Sequence, residues 1–278
     1  MAPHFSILSS ESTRDLQFAQ SFRPLGNLVA QVVANRRREN RVSTDILGVL
    51  MKARDRESGQ GMPERQLVSE IMTLIVAGHE TTANTLDWIW YLLSQNAEAE
   101  EKLSAEISML RESGFGLGDL PKFTYTRQVI EEAMRLYPPG WLMTRKALKD
   151  DQLGDYFVPA GTEIYISPYI IQRHPAQWDH PDCFDPDRFE PNTSRDRHPL
   201  AMLPFSAGPR KCIGELFGRV EMQIHVMMIA ERLRLQYFGE KPTELDLGVN
   251  LRYKYDFIMF PATKTIAGRC FACDRNGA

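Results

Sequence analysis

The stretch from Phe205 to Gly214, Phe-Ser-Ala-Gly-Pro-Arg-Lys-Cys-Ile-Gly, places one cysteine directly before an apolar helical pattern. The free N–H groups and the dipole of a helix start favour an anion. Arg210 and Lys211 add positive charge beside Cys212. A thiol in such a setting is stabilised as the thiolate, the form that binds metal. The stretch therefore predicts a metal-binding cysteine, the alternative being a buried cysteine that precedes an ordinary helix.

This stretch resembles the haem-binding signature of the cytochrome P450 family, Phe-x-x-Gly-x-Arg-x-Cys-x-Gly. The resemblance implies that Cys212 is the axial iron ligand of haem b and that Arg210 is a candidate to bind a haem propionate. We expect Phe205 to cover the sulfur. Glycine adopts backbone angles closed to other residues and leaves room for close approach, so we expect a turn at Gly208 and space for a flat ligand at Gly214.

A second feature is a long helical pattern from Pro63 to about Ser94, interrupted in the middle by Ala77-Gly78-His79-Glu80-Thr81-Thr82. A glycine and polar residues in the middle of an apolar helix are locally costly, and such costs are typical of functional sites. The alternative is a kinked core helix with satisfied hydroxyls. The segment resembles the oxygen-binding helix of the same family, which implies that Glu80 and Thr81 form the catalytic acid–alcohol pair for proton delivery.

A third feature is Glu132 and Arg135, three residues apart before the Pro138-Pro139 pair, where a helix must stop. Residues at this spacing share a helix face, and a lone pair of this kind is usually a weak surface ion pair. The pattern resembles the core helix of the family, and Asp185-Pro186-Asp187-Arg188-Phe189 resembles its partner segment. The resemblance implies a structural network of Glu132, Arg135 and Arg188.

Arg145 follows soon after the proline pair, within a region whose turn residues predict short strands. It resembles the propionate-binding arginine of the family, and Arg210 is the second candidate for that role. Arginine suits that role because its guanidinium binds a carboxylate through two parallel hydrogen bonds. The alternative is an exposed charge on a strand.

The composition narrows the class of protein. A net charge of −3 argues against a nucleic-acid binder, which should show a basic excess. Four cysteines in 278 residues are too few for a disulfide framework and indicate a reducing compartment, so we expect a cytoplasmic protein. The start of the chain has neither a basic segment nor a sustained apolar run, so we expect no signal peptide and no membrane anchor in this chain.

We expect a mainly α-helical fold with small β-sheets, similar to cytochrome P450 but lacking its N-terminal half. The expected organisation is a polar segment and helix in residues 1–44, the haem-binding C-terminal portion in residues 45–260, and a flexible tail in residues 261–278. The tail contains Cys270 and Cys273 without a second pair of metal ligands. The chain is then a fragment, an early-terminated gene model or a shortened relative completed by another chain.

The resemblance implies a monooxygenase that hydroxylates a small apolar organic substrate with O2. Its electrons would come from a reductase or a ferredoxin, and haem b would be the cofactor. One alternative is a haem-thiolate peroxygenase or isomerase, which needs no reductase. Another is a non-catalytic or inactive haem-binding fragment.

Overall fold

The computed structural model describes residues 13–39, 43–112, 116–193, 197–239, 244–255 and 258–263. Within these ranges the fold is mainly helical with small antiparallel sheets, which confirms the predicted fold class. No helix of the described ranges combines the length and the apolar character that a bilayer crossing requires. The helices are α1 Thr13–Arg38, α2 Ile46–Lys52, α3 Glu64–Gln95, α4 Ala97–Glu112, α5 Thr124–Leu136, α6 Pro168–Ile171 and α7 Glu215–Ala230.

The strands of the described ranges form two-stranded antiparallel ribbons, in which β1 pairs with β4, β2 with β3, β5 with β8 and β6 with β7. Two of the ribbons, β2–β3 and β6–β7, join strands that are neighbours in sequence, whereas the strands of the other two are separated by intervening elements. The strands are β1 Met143–Lys146, β2 Asp151–Leu153, β3 Tyr156–Val158, β4 Glu163–Ile166, β5 Leu233–Gln236, β6 Leu245–Leu247, β7 Leu251–Tyr253 and β8 Phe260–Thr263.

The chain divides into two compact units, one ending at His79 and the other beginning at Glu80. The first unit has its own small core, formed by Val29, Val33, Leu47, Leu67 and Met72. The division falls inside helix α3, whose 32 residues extend over about 48 Å at 1.5 Å per residue.

The second unit is built around the C-terminal half of α3. Trp88 is only 1% exposed and stacks on Tyr137, with ring centroids 3.6 Å apart and planes within 4°. Buried side chains of α4, α5 and α7 complete the same core. Because α5 carries the Glu132–Arg135 pair and α7 follows Cys212, this core sets the positions of both sequence motifs.

Helix α5 is fastened at its start by side chains from neighbouring elements. Glu106 of α4 accepts hydrogen bonds from the backbone N–H groups of Tyr125 and Thr126, at 2.7 and 2.8 Å. These N–H groups have no acceptor within α5 because they belong to its first turn. The Gln223 amide of α7 donates to the carbonyl oxygens of Leu120 and Phe123 just before α5. Three helices are thereby joined at one end of α5.

The structure differs from the sequence-based expectation in three places. The apolar spacing of Leu28, Val29, Val32 and Val33 predicts a helix from Pro24 to Arg41, but helix α1 begins at Thr13. A proline within a helix removes one main-chain hydrogen bond, and Pro24 does not end this helix. The sequence predicts one strand from Leu251 to Phe260, whereas in the structure this stretch contributes to both β7 and β8, which belong to different ribbons. The expected tail contributes residues 261–263 to β8, and its remainder, with Cys270 and Cys273, lies outside the described residues.

Candidate active site

The loop before α7 presents Cys212 with its thiol exposed and outside any disulfide. The Cys212 backbone N–H donates to the carbonyl oxygen of Phe205 at 2.9 Å, which closes the loop on itself. Ser206 and Gly208 have φ values of 62° and 75°, in the left-handed region. Glycine adopts this region freely, whereas Ser206 does so at a cost that is typical of functional loops. The turn expected at Gly208 is therefore present.

Cys212 lies two residues before Gly214, the residue that precedes the first turn of α7. A side-chain carbon added at Gly214 would lie 3.8 Å from the Cys212 sulfur, and one at Gly208 would meet nothing within 4 Å. The thiol therefore lies beside one residue without a side chain, Gly214, which leaves room there for a flat ligand.

The two arginines proposed to bind carboxylates are both exposed. Arg210 ends a short 3₁₀ turn, Gly208–Arg210, and among the described residues its guanidinium has no hydrogen-bond or ion-pair partner. Arg145 lies on β1 opposite Ile164 of β4, and its Nη1 donates to the carbonyl oxygen of Thr144 at 2.8 Å. Arg145 thus has the geometry of an exposed strand residue, and its proposed role stays a prediction.

Phe205 joins the loop to the core. Its half-buried side chain packs against the main hydrophobic cluster. The Arg219 guanidinium of α7 lies 4.8 Å from the centre of the Phe205 ring and pairs with Glu131 and Glu215. Burial is the main cause that lowers the pKa of Arg219, and the neighbouring charge of Arg127 adds to the effect. Phe205 is therefore held by a stacked cation, and whether its ring covers the sulfur stays a prediction.

Helices α3 and α7 approach each other about one helical turn after the loop of residues 205–214, which carries Cys212. A side-chain carbon at Gly218 would lie 3.9 Å from Thr82 Oγ1. Thr82 is the direct neighbour of Thr81, so the helix that carries Glu80 and Thr81 comes close to the helix that follows Cys212. Thr81 is half-buried, and the Glu80 side chain is 50% exposed. This exposure suits a group that exchanges protons with water.

Glu132, Arg135 and Arg188 are in direct contact. The Glu132 carboxylate receives two hydrogen bonds from Arg135, at 2.6 and 2.7 Å, and one from Arg188 Nε at 3.1 Å. The side chains of Glu132 and Arg135 are 0% exposed and that of Arg188 is 10% exposed. The contacts are thus those of a buried network and not of a surface pair.

The same three residues hold the backbone segment that precedes Arg188. Arg135 donates to the carbonyl oxygens of Pro181 and Cys183, at 2.6 and 3.1 Å. The Asp185 N–H donates to Glu132 Oε1 at 3.0 Å. A charged network that also satisfies backbone groups fixes the path of the chain.

Gln172 is a residue whose importance the sequence did not reveal. Its fully buried side-chain amide donates to the carbonyl oxygens of Met134 and Arg135, both at 3.0 Å. Its Oε1 accepts the N–H of Leu203 at 2.7 Å, two residues before Phe205. Gln172 therefore links helix α5, which carries Glu132 and Arg135, to the segment that leads into the Cys212 loop. No local pattern in the sequence indicates these contacts, because the partners of Gln172 lie 31 to 38 residues away along the chain.

These residues fit a haem. Among the described residues, no group of three or more His, Cys, Asp or Glu side chains is arranged to hold a metal ion. One exposed thiol on a loop of left-handed backbone supplies a single soft ligand, which suits a metal that brings its other ligands in a macrocycle. The exposed Arg210 guanidinium nearby in sequence suits a carboxylate substituent of such a ligand.

Comparison with protein families gives one match, to the family model described as Cytochrome P450, over residues 2–258. The match begins at residue 2, whereas the motifs alone placed its start near Asp45. Cyclooctatin synthase of Streptomyces melanosporofaciens is 40% identical over 193 residues, 69% of this chain and 42% of that protein. Pentalenene oxygenase of Streptomyces avermitilis is 34% identical over 234 residues, 84% of this chain and 52% of that protein.

Among similar proteins, cyclooctat-9-en-7-ol 5-monooxygenase of Streptomyces melanosporofaciens is 37% identical over 76% of this chain and 46% of its own length. Among solved structures, the cytochrome P450DA heme domain superposes with a TM-score of 0.83 at 26% identity, over 91% of this chain and 57% of that one. The retinoic acid bound cyanobacterial CYP120A1 gives the same TM-score and identity over 90% of this chain. The chain spans about half the length of the curated relatives it matches.

Proposed function

Because this chain belongs to the cytochrome P450 family, we propose that it carries the catalytic part of a haem-thiolate monooxygenase. The observation that carries the proposal is the exposed Cys212 thiol on its strained loop, joined to a helix that comes close to α3 beside Glu80 and Thr81. Haem b is the cofactor that members of this family bind. When bound through a thiolate, haem supplies an electron-rich iron that favours O–O cleavage.

Each of the other steps is assigned to particular side chains of this chain. The Cys212 sulfur would hold the iron of the haem, and Arg210 and Arg145 would bind its carboxylate groups. Glu80 takes protons from water at its half-exposed carboxylate and passes them towards Thr81 Oγ1, its neighbour on the helix. The overall reaction converts RH, O2, two electrons and two protons into ROH and H2O. The electrons come from a reductase or a ferredoxin as the proposed partner.

The proposed substrate is a small apolar hydrocarbon or an alcohol derived from one. Two similar proteins are named as oxygenases of pentalenene and of cyclooctat-9-en-7-ol, which by their names are an alkene and an unsaturated alcohol. These names support an apolar, unsaturated substrate class.

The test of the proposed function uses isotopically labelled oxygen. The haem-loaded chain receives pentalenene, a ferredoxin, its reductase, a nicotinamide reductant and ¹⁸O2, and the product is analysed by mass spectrometry. We expect one ¹⁸O atom per product molecule and no product without reductant. Product formed only with added peroxide would instead identify a peroxygenase. Retained haem without any product from a panel of apolar alkenes would indicate a non-catalytic haem protein.

A first prediction concerns Thr81→Ala. Loss of a general acid–base participant lowers the rate by about 10²–10⁴-fold, and we expect this loss for product formation. Oxygen consumption should fall much less, because oxygen still leaves the site as peroxide when protons arrive at the wrong place. The measurement is product and peroxide formed per reducing equivalent.

The matched control for this prediction is Thr73→Ala. Thr73 is an exposed threonine of the same helix whose hydroxyl donates to the carbonyl oxygen of Ser69 at 2.9 Å. It should leave the yield of product per reducing equivalent unchanged. An unchanged yield in Thr81→Ala would contradict the role of Thr81 and leave the role of Cys212 untouched.

A further inference from the structure

The hairpin of β6 and β7 is attached along the C-terminal half of α3 by Leu251 and Tyr253 of β7. The carbonyl oxygen of Leu251 accepts hydrogen bonds from Asn84 Nδ2 and, at 3.5 Å, from Trp88 Nε1. The Tyr253 hydroxyl donates to Asp87 Oδ2 at 2.9 Å. Asn84, Asp87 and Trp88 follow each other at the three- and four-residue spacing of one helix face. This face continues back to Glu80, four residues before Asn84.

Arg252, the central residue of β7, faces Glu80. Its Nη1 lies 3.9 Å from Glu80 Oε1, while its Nε donates to Asp246 Oδ2 at 2.8 Å. Asp246 and Arg252 are opposite each other in the register of the hairpin. The guanidinium is therefore oriented by Asp246 on its own hairpin and directs a second nitrogen towards the acid of α3.

This arrangement contributes little to stability. The side chains of Arg252 and Glu80 are 56% and 50% exposed. Exposed ion pairs change the unfolding equilibrium constant by only about 1.4- to 5-fold. The main effect of the contact is therefore on the position of the Glu80 carboxylate and not on stability.

We propose that Arg252 is a positioning residue for Glu80, and that Asp246 orients its guanidinium for this purpose. The inference rests on the proposed function, in which Glu80 passes protons to Thr81. A fixed cation on the hairpin gives a half-exposed carboxylate one preferred place out of the many that its side chain can otherwise reach. From that place the carboxylate meets water on one side and remains next to Thr81 on the helix.

The kinetic test compares oxygen consumption in the parent and in Arg252→Gln, with saturating reductant and substrate. A misplacement of about 1 Å can cost about 10²-fold in rate, so we expect a loss of up to about 10²-fold in kcat with little change in KM. Arg252→Lys should recover part of the rate, because it keeps the charge and loses the forked geometry. An unchanged kcat in Arg252→Gln would overturn the proposal.

The decisive comparison repeats Arg252→Gln in a Glu80→Gln background. If Arg252 acts through Glu80, it should have no further effect there. If Arg252 acts only through the fold, the second change should slow both backgrounds by the same factor, which would overturn the proposal. Lys254→Gln is the matched control, since Lys254 adjoins the same strand and forms an exposed ion pair with Glu244 of the same hairpin. It should leave kcat unchanged.

A second measurement does not depend on turnover. Denaturant unfolding of the parent, Glu80→Gln, Arg252→Gln and the double variant forms a thermodynamic cycle. We expect a coupling of about 1.4- to 5-fold in the unfolding equilibrium constant, and strict additivity would overturn the contact and the proposal together. Coupling in a parent that forms no product would overturn the proposed function and limit Arg252 to a structural role. Coupling together with a kinetic effect that requires Glu80 supports the positioning role.

Discussion

Replacing Cys212 by serine is expected to abolish the red-shifted carbon-monoxide band of the reduced, haem-loaded protein, which reports a thiolate ligand. A serine hydroxyl stays protonated at neutral pH and is a poor ligand for haem iron, so the effect should be complete. The loop itself should persist, because the hydrogen bond from residue 212 to the carbonyl oxygen of Phe205 is made by the backbone. The measurement is the carbon-monoxide difference spectrum with haem content determined in parallel.

The control for this prediction is Cys183→Ser, because Cys183 is also exposed and outside any disulfide. Its contacts with Arg135 and Arg188 are made by its carbonyl oxygen, which serine retains. The band should be preserved in this variant and in a variant that replaces both Cys270 and Cys273. A band that survives in Cys212→Ser and disappears in Cys183→Ser would show that the ligand has been assigned to the wrong cysteine.

Replacing Glu132 by alanine is expected to cost about 3–5 kcal/mol of unfolding free energy, the range for breaking a buried ion pair. The reason is that the guanidinium of Arg135 would stay buried at 0% exposure without its carboxylate. Arg188 and the Asp185 N–H would lose the same partner. This loss is a large share of the roughly 5–15 kcal/mol that stabilises a typical domain.

The measurement for this prediction is thermal unfolding together with the yield of soluble, haem-loaded protein. About 2–4 °C of Tm are lost per kcal/mol in units of 150–250 residues, so the expected decrease is about 6–20 °C. Glu98→Ala is the control, because Glu98 is 83% exposed and its partner Lys102 keeps a second contact with Asp187. A normal Tm and yield for Glu132→Ala would contradict a stabilising role for the network.

Membership of the family followed from short motifs, because the residues that define them are close together in sequence. The five fixed positions around Cys212 span ten residues, and Glu80 and Thr81 are adjacent. The family match over residues 2–258 confirms the resemblance. The structure adds the close approach of Thr82 to Gly218, which relates the two motifs in space. The catalytic roles of Glu80 and Thr81 stay predictions.

Helix α3 shows what periodicity can determine. Apolar residues three and four apart predicted a helix from Pro63 to about Ser94, and the structure has it from Glu64 to Gln95. Local spacing is sufficient because a helix is closed by hydrogen bonds four residues apart. The first and last residues of the short strands were harder to predict, because the pairing of a strand ends where its partner strand ends. The stretch after Leu251 was accordingly predicted as one strand and is shared between two ribbons.

The sequence by itself determined helix α3, the family and the identity of the residues around Cys212. Only the tertiary structure decided that Gln172 joins helix α5 to the segment before the Cys212 loop. The same is true of the position of Arg252, which faces Glu80. Gln172 and Leu203 are 31 residues apart, and Glu80 and Arg252 are 172 apart. Contacts at such separations depend on how the chain returns to the core, and a single sequence carries no local signal for that return. A buried amide and a half-exposed arginine become informative only when their partners are known.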